Sequence, residues 1–260
     1  MRNFYQYLCL ALCCIALQLS AQSSGCEEVR TKIYAQFQKI DRFNQTALDS
    51  SISLYDSLKP ANETLKNLVV QWIEMGGFKN CALQPHSNMK YVISPDLGMV
   101  AISWNTYQGG TMIDYASILG YQNSIMEFKA KRFESDFQGV LSNDRILIDR
   151  IYSIKNKFKE NVYFVSAIGQ GSVSTPFFSM TAYKIKREIL EEPIFDGVSR
   201  LSVDFDYTDH QNQFLPEDFI GIQFLKRGAF IRRPISEKNG IFNGRFEIYK
   251  FDGAKYRRIK

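Results

Sequence analysis

The stretch LSVDFDYT, Leu201–Thr208, decides the fold class of this 260-residue chain. Its apolar residues alternate strictly with polar ones, which is the period of a β-strand with one buried and one solvated face. Shorter alternating runs recur from residue 86 to residue 260, and they are broken by Gly, Asn and Asp. The sequence therefore predicts a β-domain over residues 86–260.

Short loops join the predicted strands, as at Pro95–Gly98, Gly169–Gly171 and Lys226–Gly228. Loops of this length suit antiparallel hairpins, because parallel strands need long crossover connections. We therefore predict an antiparallel β-meander, arranged as a curved sheet, a sandwich or a partial propeller. Asp144–Ile154 also fits a helix, but the polar turn that follows it favours a hairpin.

The residues before this region, 22–85, have a helical period. Apolar side chains recur every three or four positions from Val29 to Ile40 and again from Leu65 to Ile73. Asn62 is the predicted cap of the last helix. Two or three amphipathic helices are expected ahead of the β-meander, so the predicted fold class is α+β.

Residues 1–21 have the pattern of a secretory signal peptide. Arg2 precedes an apolar run, Leu8–Leu19, and Ala21 is a small residue at the expected cleavage point. The run is shorter than the roughly 20 residues of a membrane-spanning helix, and no later stretch approaches that length. The mature chain is expected in the periplasm or outside the cell, without a transmembrane segment. A lipid anchor is the alternative, because Gly25-Cys26 matches the end of a lipoprotein signal.

Signal removal would leave two cysteines, Cys26 and Cys81. In an oxidising compartment a single disulfide is the default, and closing a loop of about 55 residues stabilises a fold by about 4 kcal/mol in the chain-entropy model. The chain has only two histidines, so a multi-histidine metal centre is excluded. We predict no metal, no cofactor and no catalytic residue, because the common hydrolase, kinase and nucleotide-binding motifs are missing.

The loop WNTYQGGT, residues 104–111, is the most suggestive surface feature of the sequence. It combines aromatic, amide and hydroxyl groups between two predicted strands, a mixture that suits sugar or peptide ligands. The candidate ligand-binding residues are Trp104, Asn105, Tyr107 and Thr111. In the structural alternative, Trp104 ends a core strand and the two glycines allow a turn.

Positive charge is concentrated at the end of the chain. Gly221–Lys260 holds 11 Lys and Arg against 3 Asp and Glu, a balance of +8, whereas Gln22–Ile220 holds 20 against 24, a balance of −4. Two interpretations of this excess remain open. The basic residues either lie on a solvated sheet edge and prevent aggregation, or they attract the protein to an anionic envelope component. The candidate basic surface consists of Arg232, Arg233, Arg257 and Arg258. A nucleic-acid partner is not expected, since the segment lacks a recognition motif.

Five short segments carry a resemblance to known proteins. They are ISPDLG at residues 93–98, SWNT at 103–106, GGTM at 109–112, VYFV at 162–165 and YKFDG at 249–253. In these segments the chain resembles a group of uncharacterised exported proteins of Gram-negative bacteria. The resemblance implies a secreted β-rich domain behind a helical N-terminal part, and it implies no activity and no site residue.

Two function classes remain after these arguments. The first is a non-enzymatic, envelope-associated binding protein whose ligand is a glycan or an anionic envelope component. The second is an envelope hydrolase whose acidic catalytic residues meet only in the folded chain. A deep cleft with two convergent carboxylates would favour the hydrolase, whereas an aromatic and basic face would favour the binding protein.

Overall fold

A computed structural model gives the architecture of the chain. It describes residues 25–45, 55–109, 113–133, 146–170, 175–206, 208, 221–237 and 240–260, so the predicted signal peptide lies outside the described residues. The fold class is α+β, with helices ahead of an antiparallel β-rich region. None of the helices in these ranges is both long enough and apolar enough to cross a membrane.

The helical part comprises α1 at residues 25–45, α2 at Tyr55–Glu74 and the short α3 at Gly77–Asn80. Helix α2 begins before Pro60 and continues through it. The sequence had predicted Asn62 as the cap of this helix. That prediction is wrong, because Asn62 lies inside the helix. Its buried side chain has another role, described below.

Three antiparallel sheets follow, each with its strands largely in chain order. Sheet A contains β1 (Met89–Ile93), β2 (Met99–Asn105), β3 (Tyr115–Gln122) and β4 (Phe128–Phe133). Sheet B contains β5 (Ile146–Lys155), β6 (Asn161–Gln170), β7 (Pro176–Ile185), β8 (Ile189–Glu191) and β9 (Arg200–Asp204). Sheet C contains β10 (Gln223–Leu225), β11 (Phe230–Ser236), β12 (Phe242–Phe251) and β13 (Tyr256–Arg258). Strands β5 and β6 pair as a hairpin, which is the arrangement favoured for Asp144–Ile154.

The helices and the three sheets stack as four layers, in the order helices, sheet A, sheet B and sheet C. An apolar core lies between each pair of neighbouring layers. Helices α1 and α2 pack on one face of sheet A, through residues such as Phe37, Trp72 and Ile102. The opposite face of sheet A packs on sheet B. The remaining face of sheet B packs on sheet C, where Phe164 meets Tyr256.

Close approach between the helical layer and sheet A depends on Gly120 of β3. A Cβ at this position would lie 2.7 Å from Cγ2 of Ile73 and 2.8 Å from Cγ1 of Val100. The missing side chain leaves room for Ile73, a fully buried residue of α2. Any larger residue at position 120 would push the helix away from the sheet.

Cys26 and Cys81 form the disulfide that the sequence predicted, with their Cα atoms 6.3 Å apart. Both cysteines are buried in the core between the helices and sheet A. The indole N–H of Trp72 donates a hydrogen bond of 3.0 Å to the carbonyl oxygen of Cys81. The bridge therefore ties the start of the described helix α1 to the end of the helical part.

Two of the segments that carry the resemblance meet between sheets A and B. In the turn after β1, Asp96 accepts hydrogen bonds of 2.8 Å from the hydroxyl of Tyr163 and from the side-chain amide of Asn161. A Cβ on Gly98 would lie 2.2 Å from the Tyr163 hydroxyl oxygen, so only glycine leaves room for this contact. Burial, and then the bond to Asp96, raise the pKa of Tyr163. The ISPDLG and VYFV segments thus form a contact between layers.

Candidate binding cleft

The structure places Trp104 of the predicted ligand-binding loop in the core, where it is 1% exposed. Its indole N–H donates a hydrogen bond of 2.9 Å to Oδ1 of Asn62, and its ring meets the Phe37 ring edge-on. Asn62 in turn donates to the carbonyl oxygens of Leu58 and Thr106. Trp104 therefore anchors the loop to the helices, and its ring is not available to a surface ligand.

The rest of this loop is shaped by local hydrogen bonds. Oδ1 of Asn105 accepts the backbone N–H of Tyr107 at 2.9 Å, and the backbone of Asn105 pairs with the side chain of Asn88. Tyr107 has a φ of 57° and is half-buried against the helical core. Burial, and then the nearby charge of Asp41, raise the pKa of the Tyr107 hydroxyl. Thr111 lies outside the described residues, so ligand binding by this loop stays a prediction.

The predicted basic surface is held together by carboxylates. Glu247 on β12 is buried, and its two oxygens lie 2.5 Å from Nη2 of Arg233 and 2.8 Å from Nη1 of Arg258. The hydroxyl of Tyr249 donates a further hydrogen bond of 2.8 Å to Glu247. Arg257 is more exposed and lies near the carboxylates of Asp196 and Asp252. Three of the four arginines of the predicted basic surface thus have carboxylate partners in the fold.

Arg232, the fourth of these arginines, connects sheet C to a cleft. Its guanidinium lies over the Phe246 ring, 4.5 Å from the ring centroid, and donates to Oε1 of Gln223 on β10. This bond orients the amide of Gln223, which lines the cleft. Arg232 is therefore a positioning residue and not part of a free basic surface.

The cleft lies between sheets B and C and has a volume of about 460 Å³. It lies beside β10, a strand of three residues. Its main lining residues, all of them half-buried or exposed, come from three strands of sheet B and from β10: Asp149, Arg150, Tyr152, Ser166, Phe178, Gln223 and Phe224.

Aromatic rings form the floor of this cleft. The rings of Tyr152 and Phe224 stack, with centroids 4.4 Å apart and an interplanar angle of 16°. Phe224 also packs against Phe164 of the core below, at 5.3 Å. The platform is therefore fixed by packing, and it presents apolar surface to the cleft without a rearrangement of the core.

Charged groups lie at one end of the cleft, where a β-bulge interrupts β5 between Ile148 and Arg150. The bulge adds Asp149, whose carboxylate lies 2.7 Å from Nζ of Lys90 and 3.2 Å from Nε of Arg150. The Tyr152 hydroxyl, and then the charge of Asp149, raise the pKa of the Arg150 guanidinium. The cleft thus combines an aromatic floor with charged and amide groups whose positions are set by neighbours.

This donor set does not form a paired-carboxylate centre. Among the described residues of the lining, Asp149 is the acidic one, and it is already paired with two cations. Hydrolysis of a glycoside by the common mechanism needs two carboxyl groups about 5 to 10 Å apart. Within the described ranges, no group of three or more His, Cys, Asp or Glu side chains is placed to hold a metal ion.

His86 is the histidine that the structure describes, and both of its ring nitrogens have partners. Nε2 lies 3.7 Å from the carboxylate of Asp41, while Nδ1 accepts the backbone N–H of Asn88 at 3.2 Å. The ring also stacks on Phe37. The imidazole is therefore a packed structural group, and no nucleophile among the described residues contacts it. His210 lies outside the described residues.

Sequence reasoning missed this cleft. Tyr152 lies in the segment whose helical or extended conformation was ambiguous, and Phe224 lies in a short strand with no alternation of its own. The polar pair Asp149-Arg150 interrupts an otherwise apolar run, but this interruption alone does not indicate a ligand site. No family model, no curated protein and no solved structure matches the chain.

Proposed function

We propose that the protein is an exported, envelope-associated binding protein without catalytic activity, and that its ligand is a glycan bound in the cleft between sheets B and C. The observation that carries the proposal is the aromatic floor of Tyr152 and Phe224 beside the fixed polar groups of Arg150 and Gln223. Ligand sites commonly combine apolar walls with a few oriented polar groups.

Sugar rings match this combination because they have an apolar C–H face and a polar rim of hydroxyl groups. The C–H face would pack on the stacked rings, and the hydroxyl groups would bond to the amide of Gln223 and to the guanidinium of Arg150. The volume of about 460 Å³ lies within the range of small-molecule sites, roughly 300 to 1,000 Å³. An anionic envelope surface is the weaker candidate, since the four arginines of the predicted basic surface have carboxylate partners or bond to Gln223.

Export without a lipid anchor is part of the proposal. A cysteine in a disulfide has no thiol for lipid attachment, so the pairing of Cys26 with Cys81 supports the unlipidated form. Intact mass spectrometry of protein from cell fractions tests this part. We expect a chain that begins near Gln22, carries no lipid and is two hydrogens lighter than its reduced form, whereas a lipidated Cys26 would overturn the assignment.

Glycan binding is tested with the purified mature protein on an array of neutral and acidic oligosaccharides, followed by titration calorimetry with each glycan that binds. We expect Arg150→Ala and Gln223→Ala to weaken binding about tenfold each, because each removes one hydrogen-bonding group. Both side chains are at the surface of the cleft, so the fold should survive. Arg187→Ala, at an exposed position outside the cleft, is the matched control.

Two results would overturn the glycan proposal. The first is the absence of binding to any oligosaccharide on the array. The second is binding that Arg150→Ala and Gln223→Ala leave unchanged, which would move the site elsewhere. Glycan cleavage during the titration, detected by mass spectrometry, would favour the hydrolase alternative.

A further inference from the structure

A second cavity, of about 190 Å³, lies between strand β4 and sheet B. Three cations line it: Lys131 and Arg132 on β4 and Arg200 on β9. The side chains of Lys131 and Arg200 form no ion pair or hydrogen bond with another residue in the described ranges. The Lys131 ammonium instead lies over the rings of Phe133 and Tyr183, 5.6 and 5.5 Å from their centroids.

Two hydroxyl-bearing residues of β7 share one face of sheet B with Arg200. Thr181 of β7 is directly opposite Arg200 of β9 in the strand register, and Ser179 is two residues away along β7. The two residues are buried, at 7% and 2% exposure, and both line the cavity. Neither hydroxyl has a hydrogen-bond partner among the residues that the structure describes.

Other charged groups at the cavity already have partners. Arg132 borders it, but its guanidinium donates a hydrogen bond of 2.6 Å to Oδ1 of Asn67 on α2. Glu191 is the carboxylate of the described lining; it is exposed, and its Oε2 accepts the hydroxyl of Ser199 at 2.6 Å. The groups left with unused donors are therefore the other two cations and the two hydroxyls.

We propose that this cavity binds a phosphate group. Unpaired cations and hydroxyl donors in a concave site favour an anion with several acceptor oxygens. The lining donors belong to three strands, β4, β7 and β9, and donors from several strands suit a compact tetrahedral oxyanion. A guanidinium and an ammonium together are a common donor pair for phosphate. The volume fits a small group better than a whole glycan.

The phosphate site is separate from the proposed glycan cleft. The cavity is lined by Val165 and Ala167 of β6, whereas the cleft is lined by Ser166 and Ile168 of the same strand. Since successive residues of a strand point to opposite faces, the two sites lie on opposite faces of sheet B. The phosphate group therefore belongs either to free inorganic phosphate or to a monoester of a different ligand.

Titration calorimetry of the mature protein at constant ionic strength tests the proposal with three probes: inorganic phosphate, glucose 6-phosphate and glucose. We expect phosphate or its ester to bind at concentrations up to about 20 mM, and glucose to give no signal at this site. Tighter binding of inorganic phosphate would identify the free anion as the ligand. Tighter binding of glucose 6-phosphate would identify a monoester.

Variants locate the binding. Arg200→Gln and Lys131→Gln should each weaken phosphate binding about tenfold or more, since each removes a charged donor. Lys157→Gln, at an exposed position on the β5–β6 turn, is the matched control and should change nothing. Thr181→Val keeps the shape of a buried side chain and should weaken binding about threefold to tenfold through loss of one hydroxyl.

Circular dichroism without phosphate should show that each variant is folded, and the glycan affinity of the cleft should be unchanged in Arg200→Gln. The proposal is overturned if neither phosphate probe binds, or if both bind equally well to the wild type, Arg200→Gln and Thr181→Val. Loss of glycan binding in Arg150→Ala with intact phosphate binding would leave this inference standing, because the two sites are independent.

Discussion

The helical layer on sheet A and sheet C on sheet B both cover one face of a sheet, but they do so with different chemistry. Between the helices and sheet A the buried contacts are mainly apolar, and the buried polar group Asn62 makes neutral hydrogen bonds. In sheet C, a buried carboxylate, Glu247, lies between Arg233 and Arg258. One layer is held by hydrophobic packing and a disulfide, and the other combines apolar contacts with a charge network.

The difference shows that a count of charges does not tell which of them are paired in the fold. The +8 balance of the C-terminal residues suggests a face that attracts anions. In the fold, Glu247 pairs with Arg233 and Arg258, and Arg232 orients the Gln223 side chain of the cleft. Lys131 and Arg200, which lie outside the C-terminal residues, line a cavity and have no ion-pair partner among the described residues.

The largest expected effect is on the helical layer. Replacing both cysteines, Cys26→Ala with Cys81→Ala, should lower the free energy of unfolding by about 4 kcal/mol, because the unfolded chain regains the freedom of a long loop. Urea denaturation of the wild type and the variant measures the difference. A reducing agent should destabilise the wild type by a similar amount and leave the variant unchanged. A loss under about 1 kcal/mol would mean that apolar packing alone holds this layer.

The second prediction concerns the charge network of sheet C. Glu247→Gln should lower the free energy of unfolding by about 2 kcal/mol, since it leaves two arginines without their carboxylate. The value is less than for a fully buried ion pair because Arg258 is half exposed. Glu237→Gln, at an exposed position near the end of β11, is the control and should stay within about 0.5 kcal/mol of the wild type. Equal effects of the two changes would show that sheet C, like the helices, is held by packing.

The smallest effect at neutral pH is expected for Tyr249→Phe, which removes one hydrogen bond to Glu247 and should cost about 1 kcal/mol. Burial, and then this bond, raise the pKa of Tyr249 to about 12 from an ordinary value near 10. Between these two pH values the unfolded chain loses the Tyr249 proton while the folded chain keeps it. The wild type should therefore lose stability with rising pH faster than the variant.

Urea denaturation at several pH values from 7 to about 12 checks this pH dependence. The stability difference between the wild type and Tyr249→Phe should shrink above pH 10 and then reverse. A constant difference across the whole range would contradict the raised pKa. The comparison within one pair of proteins cancels the contribution of the other buried tyrosines.

Periodicity predicted the elements whose side chains face a single core. Val29–Ile40 and Leu65–Ile73 have helical spacing because one face of each segment packs on sheet A. Leu201–Asp206 alternates because β9 covers sheet C on one side and is solvated on the other. Strands β4, β8 and β13 were missed: β4 is half-buried along its whole length, and the other two have three residues each. Such strands are defined by hydrogen bonds to their neighbours and not by an apolar pattern.

The candidate sites were harder to predict, because their residues come from distant parts of the chain. The cleft joins Arg150 and Tyr152 of β5 to Gln223 and Phe224 of β10. The loop from Trp104 to Thr111 had the composition of a binding site, but Trp104 proved to be a core residue bonded to Asn62. The residue types in a loop do not show whether an aromatic ring is buried or exposed, because both kinds of ring occur at the ends of strands.

By itself, the sequence determined the α+β class and the helical layer ahead of the antiparallel sheets, because both depend on local periodicity. It also determined the pairing of Cys26 with Cys81, because these are the two cysteines that remain after the predicted signal peptide. Only the tertiary structure decided the division into three sheets, the pairing of Arg233, Arg257 and Arg258 with carboxylates, and the positions of the two cavities. These features depend on which strands lie face to face. Stacking of the sheets brings together side chains that no spacing along the chain relates, so the structure, and not the pattern, sets their distances.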